Sequence, residues 1–388
     1  MTKSARLLKI KINGRTMFGL DQFSNTQKVI REGIEEKLHF GAQVYISQNS
    51  KILADFALGH NHPPAIDTNK ELSSDTILPW MSCSKMLTAV AIAILNERRS
   101  LSYEQFVGDI LPAFSCNGKE EISIKHLLTH TSGIRLLPLQ WDKLSWEETV
   151  AAIAKMPIER DWTPGEKAGY HIGTSWLILG EIVRLVDGRG IDQFLNEEIL
   201  APLKMEHSGI SMTKDLYLNS GLDISGLYRT DTQTPYSSLE KYFDSVNLVR
   251  PGASGRGPIK ELGVFMEMLL NKGSYEGKRL MSERTVEEIT SRQRQGLLDL
   301  TFNKTIDWGY GFMIDSKCHN RSYPYSFGTY CSEDTFGHNG NQSSAAYVDP
   351  EHDLVVCYVF NGMPGEYEHN KRLKAMNDAI YQDLDLDY

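Results

Sequence analysis

The chain has 388 residues, 41% hydrophobic and 23% charged, with a formal net charge of -9. That is the make-up of a globular protein with a large core, as one big domain or two smaller ones. An acidic chain without a Lys/Arg stripe excludes sequence-independent nucleic-acid binding, which needs cations to displace phosphate counterions.

The amino-terminal MTKSARLLKIKING holds basic residues but no apolar stretch long enough for a signal peptide. "SNTQKVIREGIEEKLHFG" (24–41) predicts a helix, with Val29, Ile30, Ile34 and Leu38 on one face and Gly41 as its stop. "AQVYISQNSKILADFALG" (42–59) predicts a hairpin turning at Gln48-Asn49-Ser50. From about residue 82 to 270 the pattern is mostly helical, clearest at 82–98, 174–188 and 260–272. Strands return at 308–315, 343–350 and 353–362, and a last helix is expected over 366–382. Strands at both ends and helices between them predict an α/β (α+β) fold. Its antiparallel sheet is built from residues 1–80 plus 250–388, and a mainly helical domain is inserted at 81–249. The active site is expected in the cleft between them.

The apolar run after Met86 ends at Asn96-Glu97-Arg98-Arg99, too short to cross a bilayer. Five cysteines, Cys83, Cys116, Cys318, Cys331 and Cys357, are odd in number and lack CxxC spacing. Neither a disulfide scaffold nor a zinc ribbon fits them. The expectation is a cytoplasmic protein without metal or cofactor and without a membrane or nucleic-acid partner; oligomeric state has no signal.

"PWMSCSKMLTAVAIAIL" (79–95) places Ser82 three residues before Lys85 at the start of an apolar helix. The free amide N–H groups and positive end of a helix stabilise a developing oxyanion. A lysine pressed against an apolar face loses solvation, so its neutral form can take the serine proton. Ser84 has no lysine at the matching spacing. Cys83 points about 100 degrees away from Ser82 on a helix and reads as packing.

Three further segments follow in order: "ISIKHLLTHTSGI" (122–134), "WTPGEKAGYHIGTSWLILGEIV" (162–183) and "FGHNGNQSSAAYVDPEHDLVVCYVFNG" (336–362). With the Ser-x-x-Lys helix they resemble the serine β-lactamase-like family, which includes class C β-lactamases, penicillin-binding-protein-like peptidases, family VIII esterases and lovastatin-type acyltransferases. The resemblance implies a β-lactamase/transpeptidase-like fold. It implies Ser82 as the acylated nucleophile, Lys85 as its deprotonating partner, and Tyr170 as a proton shuttle, either a tyrosinate or a polarised phenol. His338-Asn339-Gly340 stands where β-lactamases carry Lys-Thr-Gly, so His338 joins the catalytic set. Asn341 would pair with Ser82 as the second oxyanion N–H, beside Gly340.

Two departures stand out. The tyrosine motif reads Tyr170-His171-Ile172, without the polar third residue that contacts the lysine and acyl group in β-lactamases. His338 in place of lysine weakens a carboxylate site, since neutral imidazole has no permanent charge. His171 and Ile172 are carried as substrate-binding candidates. Both departures point toward an uncharged ester, amide or thioester as the small-molecule partner. The expected activity is that of a carboxylesterase-like serine hydrolase. Acyl transfer or cyclisation, D-aminopeptidase or weak β-lactamase activity, and a non-catalytic ligand-binding homologue are the alternatives.

Other motifs carry less. His126 and His130 lack the glutamate of a zinc-protease helix. His60 and His62 lie in a loop leaving the hairpin. No Gly-x-Ser-x-Gly elbow occurs. Trp80, Trp308 and Tyr310 are expected in the core or the cleft wall.

Overall fold

The fold is that of a computed structural model. It describes residues 10–12, 15–17, 20–64, 70–137, 143–212, 221–230, 232, 234–235, 249–319 and 327–388. Most of the amino-terminal segment read against a signal peptide lies outside the described residues, as do 213–220 and 236–248 of the predicted insert.

Helix α1 (Ser24–Glu35) is shorter than expected. Lys37 adopts a left-handed φ of 61° and turns the chain before Gly41, which opens the first strand instead of stopping the helix. Strands β1 (Gly41–Gln48) and β2 (Lys51–Gly59) pair antiparallel around Asn49 and Ser50. Both turn residues have positive φ, 51° and 59°. That is the backbone of the two-residue turns whose twist matches a hairpin.

The middle of the chain supplies α2 (Ser84–Glu97), α3 (Ile124–Leu128), α4 (Trp146–Lys155) and α5 (Thr174–Asp187). Helix α4 starts on a reciprocal Ser145/Glu148 capping box. Helix α5 ends at Gly188, whose φ of 92° gives the left-handed cap that glycine adopts without steric cost. Helices α6 (Ile259–Leu270) and α7 (Glu283–Thr290) lead back toward the sheet.

The predicted strand 308–315 is instead a hairpin of β3 (Asp307–Trp308) and β4 (Met313–Ile314). Gly309 and Gly311 stand between them, and Gly311 takes a φ of 81° that breaks the extended run. Strands β5 (Phe336–Asn339), β6 (Ser344–Asp349) and β7 (Leu354–Phe360) follow, and α8 (Glu366–Asp383) closes the chain. The seven strands form one antiparallel sheet in the order β3-β4-β5-β6-β7-β1-β2. The chain's two ends are therefore neighbours, β7 against β1.

Period-2 alternation sorts the sheet's side chains onto two faces. Val44, Ile46, Val356 and Tyr358 bury with Phe23, Ile30, Leu373 and Met376, so α1 and α8 cover that face. Tyr45, Val355, Cys357 and Val359 bury with Leu262, Phe265 and Met266 of α6, in a core that runs on into α2 and α5. Helix α2 is buried from Ser84 to Leu95, which explains its unbroken apolar sequence: it is covered on all sides. Among the described residues no helix is long and apolar enough to cross a membrane.

Candidate active site

Ser82 does not lie in an α-helix. It sits in a 3-10 turn, Met81–Cys83, that feeds α2 at Ser84. Met81, just before it, holds a left-handed φ of 51°, the kind of strained backbone that tertiary contacts must enforce. Those contacts are visible. Trp80 N–H donates to Gly255 O at 2.7 Å, and its indole N–H donates to Gly257 O at 3.0 Å. Ser84 Oγ donates to Met81 O and accepts from Gly255 N–H at 2.8 Å, so Ser84 is the pin of the turn. From the other side, a Cβ at Gly340 would run into Ser344 Oγ and lie 2.6 Å from Trp80 O. Only glycine lets the end of β5 pass this close to the serine turn.

Lys85 is fully buried in the first turn of α2. Its Nζ lies 3.1 Å from Ser82 Oγ and donates to Ile172 O (3.1 Å) and Gly252 O (2.8 Å). Two backbone carbonyls thus stand in for the polar side chain that the tyrosine motif lacks. The Ile172 carbonyl holds the lysine, while its side chain, 56% exposed, faces the cleft. Among the described residues no carboxylate pairs with Lys85, and burial brings its pKa from 10.5 down to about 7. A neutral amine is accessible near neutral pH, and a neutral amine can accept the Ser82 proton. Any reaction that uses Lys85 as the base toward Ser82 should therefore rise with pH through an inflection near pH 7 as Lys85 loses its proton. A kcat/KM profile flat from pH 6 to 8 would show that Lys85 is not the titrating base.

Tyr170 donates its hydroxyl to Ser82 Oγ at 2.8 Å. Burial pushes the phenol well above its ordinary value, and the bond to Ser82 offsets only part of that. Of the two expected forms, burial favours the protonated phenol over the tyrosinate at rest.

Its ring is placed by residues that the sequence did not single out for this role. His130, fully buried with a φ of 59°, accepts His171 N–H on Nδ1 (2.9 Å) and Gly169 N–H on its carbonyl (3.0 Å). The two bonds bracket Tyr170, and the His130 ring packs 4.7 Å from the tyrosine ring. Asp299, also fully buried, accepts Tyr170 N–H at 3.0 Å, and Thr301 Oγ1 donates to Tyr170 O at 3.1 Å. The HTSG tetrapeptide at 130–133 was the one visible signal. That it serves Tyr170, 40 positions on, is a tertiary fact.

The remaining candidates divide. His338 lines the cleft, 6.1 Å from the Tyr170 ring between centroids, and its Nδ1 donates to Asn339 O at 2.7 Å. Burial, with the Lys85 charge nearby, lowers its pKa to about 3, so the imidazole is neutral. Asn341 also lines the cleft, and its N–H has no acceptor among the described residues. His171 is a correction. It is buried away from the cleft, its Nε2 accepting Ile134 N–H (3.1 Å) and bonded to Ser132 Oγ (3.1 Å), and burial lowers its pKa to about 3. Tyr170 and Ile172 line the cleft while His171 between them is fully buried.

Cys83 Sγ donates to His338 O at 3.1 Å, and burial pushes its thiol to about 12, which fits packing rather than attack. Trp80, Trp308 and Tyr310 are buried core, with Trp308 meeting the rings of His130 and His338 edge-on rather than lining the cleft. His126 caps α3, and His62 bonds the Tyr228 hydroxyl.

The cleft holds about 430 Å³ and is mostly apolar, walled by Ile172, Leu227, Phe302, Met313 and Leu373. Outside it, Asp307, Cys318 and His319 bring ligand atoms within 4.8 Å of one another. The Asp307 carboxylate already accepts from Arg292, Gly296 and His319, which leaves it poorly suited to a cation.

Known proteins share this architecture. A penicillin-binding-protein homologue from Caulobacter crescentus superimposes with a TM-score of 0.78 at 23% identity, covering 94% of this chain and 98% of that one. A family VIII carboxylesterase gives 0.76 at 21% identity, over 93% of this chain and 97% of its own. In sequence, the N-acetylmuramyl-L-alanine amidase of Bacillus subtilis (strain 168) is 22% identical over 353 residues, 83% of this chain and 77% of that protein. Residues 26–380 match the sequence model of the Beta-lactamase family, nearly the whole chain, and the chain belongs to that family.

Proposed function

We propose that the protein is a serine hydrolase that acts through an acyl-enzyme on an uncharged ester, as a carboxylesterase. The observation that carries this reading is the convergence on Ser82 Oγ of Lys85 Nζ at 3.1 Å and Tyr170 OH at 2.8 Å, at the wall of an apolar cleft. Neutral Lys85 takes the serine proton as Ser82 attacks the carbonyl carbon. The amides of Ser82 and Asn341 hold the oxygen as it becomes negative. Tyr170, a phenol at rest, gives its proton to the leaving oxygen and is reprotonated by the proton that Lys85 took from Ser82. Water then repeats the sequence on the acyl-enzyme. On this reading the cleft separates the helical insert, 81–249, from the sheet part of the chain.

An uncharged reacting end of the substrate is favoured by His338, while Arg250 and Arg256 put the cleft's cationic side chains elsewhere in its lining. A buried imidazole that does not protonate near neutral pH offers no fixed charge to a carboxylate at this point of the cleft. Transfer of the acyl group to an alcohol or amine is the second reading. It is favoured by the apolar stretch of wall at Ile172, Leu227, Phe302, Met313 and Leu373, which can seat an apolar acceptor beside the acyl-enzyme.

Both readings meet in one experiment: hydrolysis of p-nitrophenyl acetate, butyrate and octanoate, with and without added alcohol or amine. Turnover with free acid as the main product at high acceptor concentration supports the esterase. Transfer product in excess supports the transferase. No turnover and no burst with any ester would sink both.

A further inference from the structure

Lys317 and Cys331 lie on the connection between β4 and β5. Lys317 Nζ is 2.7 Å from Cys331 Sγ and 2.6 Å from Cys331 O. Elsewhere among the described residues, sulfur sits farther from its polar neighbours. Cys83 Sγ is 3.1 Å from His338 O, and Cys331 Sγ itself is 3.3 Å from Asp315 Oδ1 and 3.5 Å from Gly328 O. The chain holds an internal comparison, a second lysine–cysteine pair: Lys119 Nζ and Cys116 Sγ settle at 3.9 Å. The Lys317–Cys331 separation is too short for an ordinary N–H···S contact and too long for a direct N–S bond. It matches two atoms joined through a single bridging atom.

We propose that Lys317 and Cys331 form a reversible covalent cross-link through one oxygen, Nζ–O–Sγ, with dioxygen as the oxidant. Asp315, whose carboxylate lies 3.4 Å from Lys317 Nζ, takes the ammonium proton and leaves a neutral amine. One N–H and the S–H bond break, and the N–O and O–S bonds form. Nitrogen and sulfur each give up two electrons to dioxygen, whose second oxygen leaves as water. Four equivalents of a small thiol reverse the step, returning amine, thiol and water with two disulfides. Burial pushes the Cys331 thiol above its ordinary value, so the reduced pair is a thiol beside an ammonium, and the oxidant, not ionisation, joins them. Cys331 is 6% exposed, shielded from bulky reagents but open to dioxygen. The link ties the exit of β4, which carries Met313 of the cleft wall, to the approach of β5, which carries His338.

The test is intact-mass and peptide spectrometry of the full chain, kept aerobic or reduced with dithiothreitol. The aerobic protein is expected to be about 14 Da heavier than the reduced one, by one oxygen gained and two hydrogens lost. Trypsin should fail to cut after Lys317, and one linked peptide should contain Lys317 and Cys331. Cys331→Ser and Lys317→Arg should each abolish the increment, and Cys318→Ser should keep it. An aerobic mass equal to the reduced one overturns the proposal. So does a gain of about 16 or 32 Da confined to a cysteine, or a loss of about 2 Da from a Cys318–Cys331 disulfide.

Discussion

Ser82→Ala is expected to lower kcat/KM for p-nitrophenyl acetate by at least about 10³-fold, on the order of what removing the nucleophile costs other acyl-serine enzymes. The fold should not suffer. Among the described residues the Ser82 hydroxyl has Lys85 and Tyr170 as its partners, and Lys85 keeps its two carbonyl acceptors, Ile172 and Gly252. The turn itself is pinned by Ser84, Trp80 and the 255–257 backbone. Ser84→Ala offers the contrast. It should lower thermal stability by loosening the turn while the Ser82 hydroxyl still acylates. A Ser82→Ala protein that retained full turnover, measured on material free of host esterases, would remove Ser82 from the mechanism.

The largest loss of stability is expected from Asp299→Ala. Asp299 Oδ1 accepts from the backbone N–H groups of Tyr170 (3.0 Å), Thr301 (3.0 Å) and Phe302 (3.2 Å). Its Oδ2 accepts from Arg294 at 3.1 Å, and both side chains of this ion pair are buried. Arg294 also reaches Thr129 O and Ile306 O, so the guanidinium cannot leave for solvent when its counter-charge is removed. Removing one partner of a buried pair costs about 3–5 kcal/mol, because the other charge stays buried and uncompensated. For a chain this size the midpoint of thermal unfolding should fall by about 4–6 °C. Asp299→Asn keeps an acceptor for the Tyr170 amide while losing the charge. It should fall between wild type and alanine in stability and lose kcat more than it raises KM, because Tyr170 shifts against Ser82. Calorimetry showing a midpoint within about 2 °C of wild type for Asp299→Ala would contradict the ion pair's structural weight.

The sequence discloses elements whose cause is local. The Asn49-Ser50 turn, the Gly188 cap and the apolar length of α2 each state their backbone in their own residues. Ser82 and Lys85 were legible for the same reason: a three-residue spacing survives whether the turn is 3-10 or α, so placing Ser82 in a helix cost nothing. Distant partners were not legible. Gly252 O holds Lys85 across 167 positions, and Asp299 holds Tyr170 across 129. His171 was expected beside the substrate because it adjoins Tyr170, yet His130 has the closer tie to the tyrosine ring and His171 serves the core. Ile172 looked like the loss of a lysine contact, but a backbone carbonyl, present at every residue, makes that contact. The strand expected over 308–315 failed where Gly311 turned it.

Covalent capture tests the central claim most directly. The wild-type chain, incubated with a fluorophosphonate or a slow-turnover p-nitrophenyl ester and digested, should yield a single stoichiometric adduct on the peptide that carries Ser82. Lys85→Met should slow its formation steeply, since the amine that takes the serine proton is gone. An adduct on Ser84, Cys83 or any other residue, or none on a protein that still turns over esters, would contradict Ser82 as the acylated group.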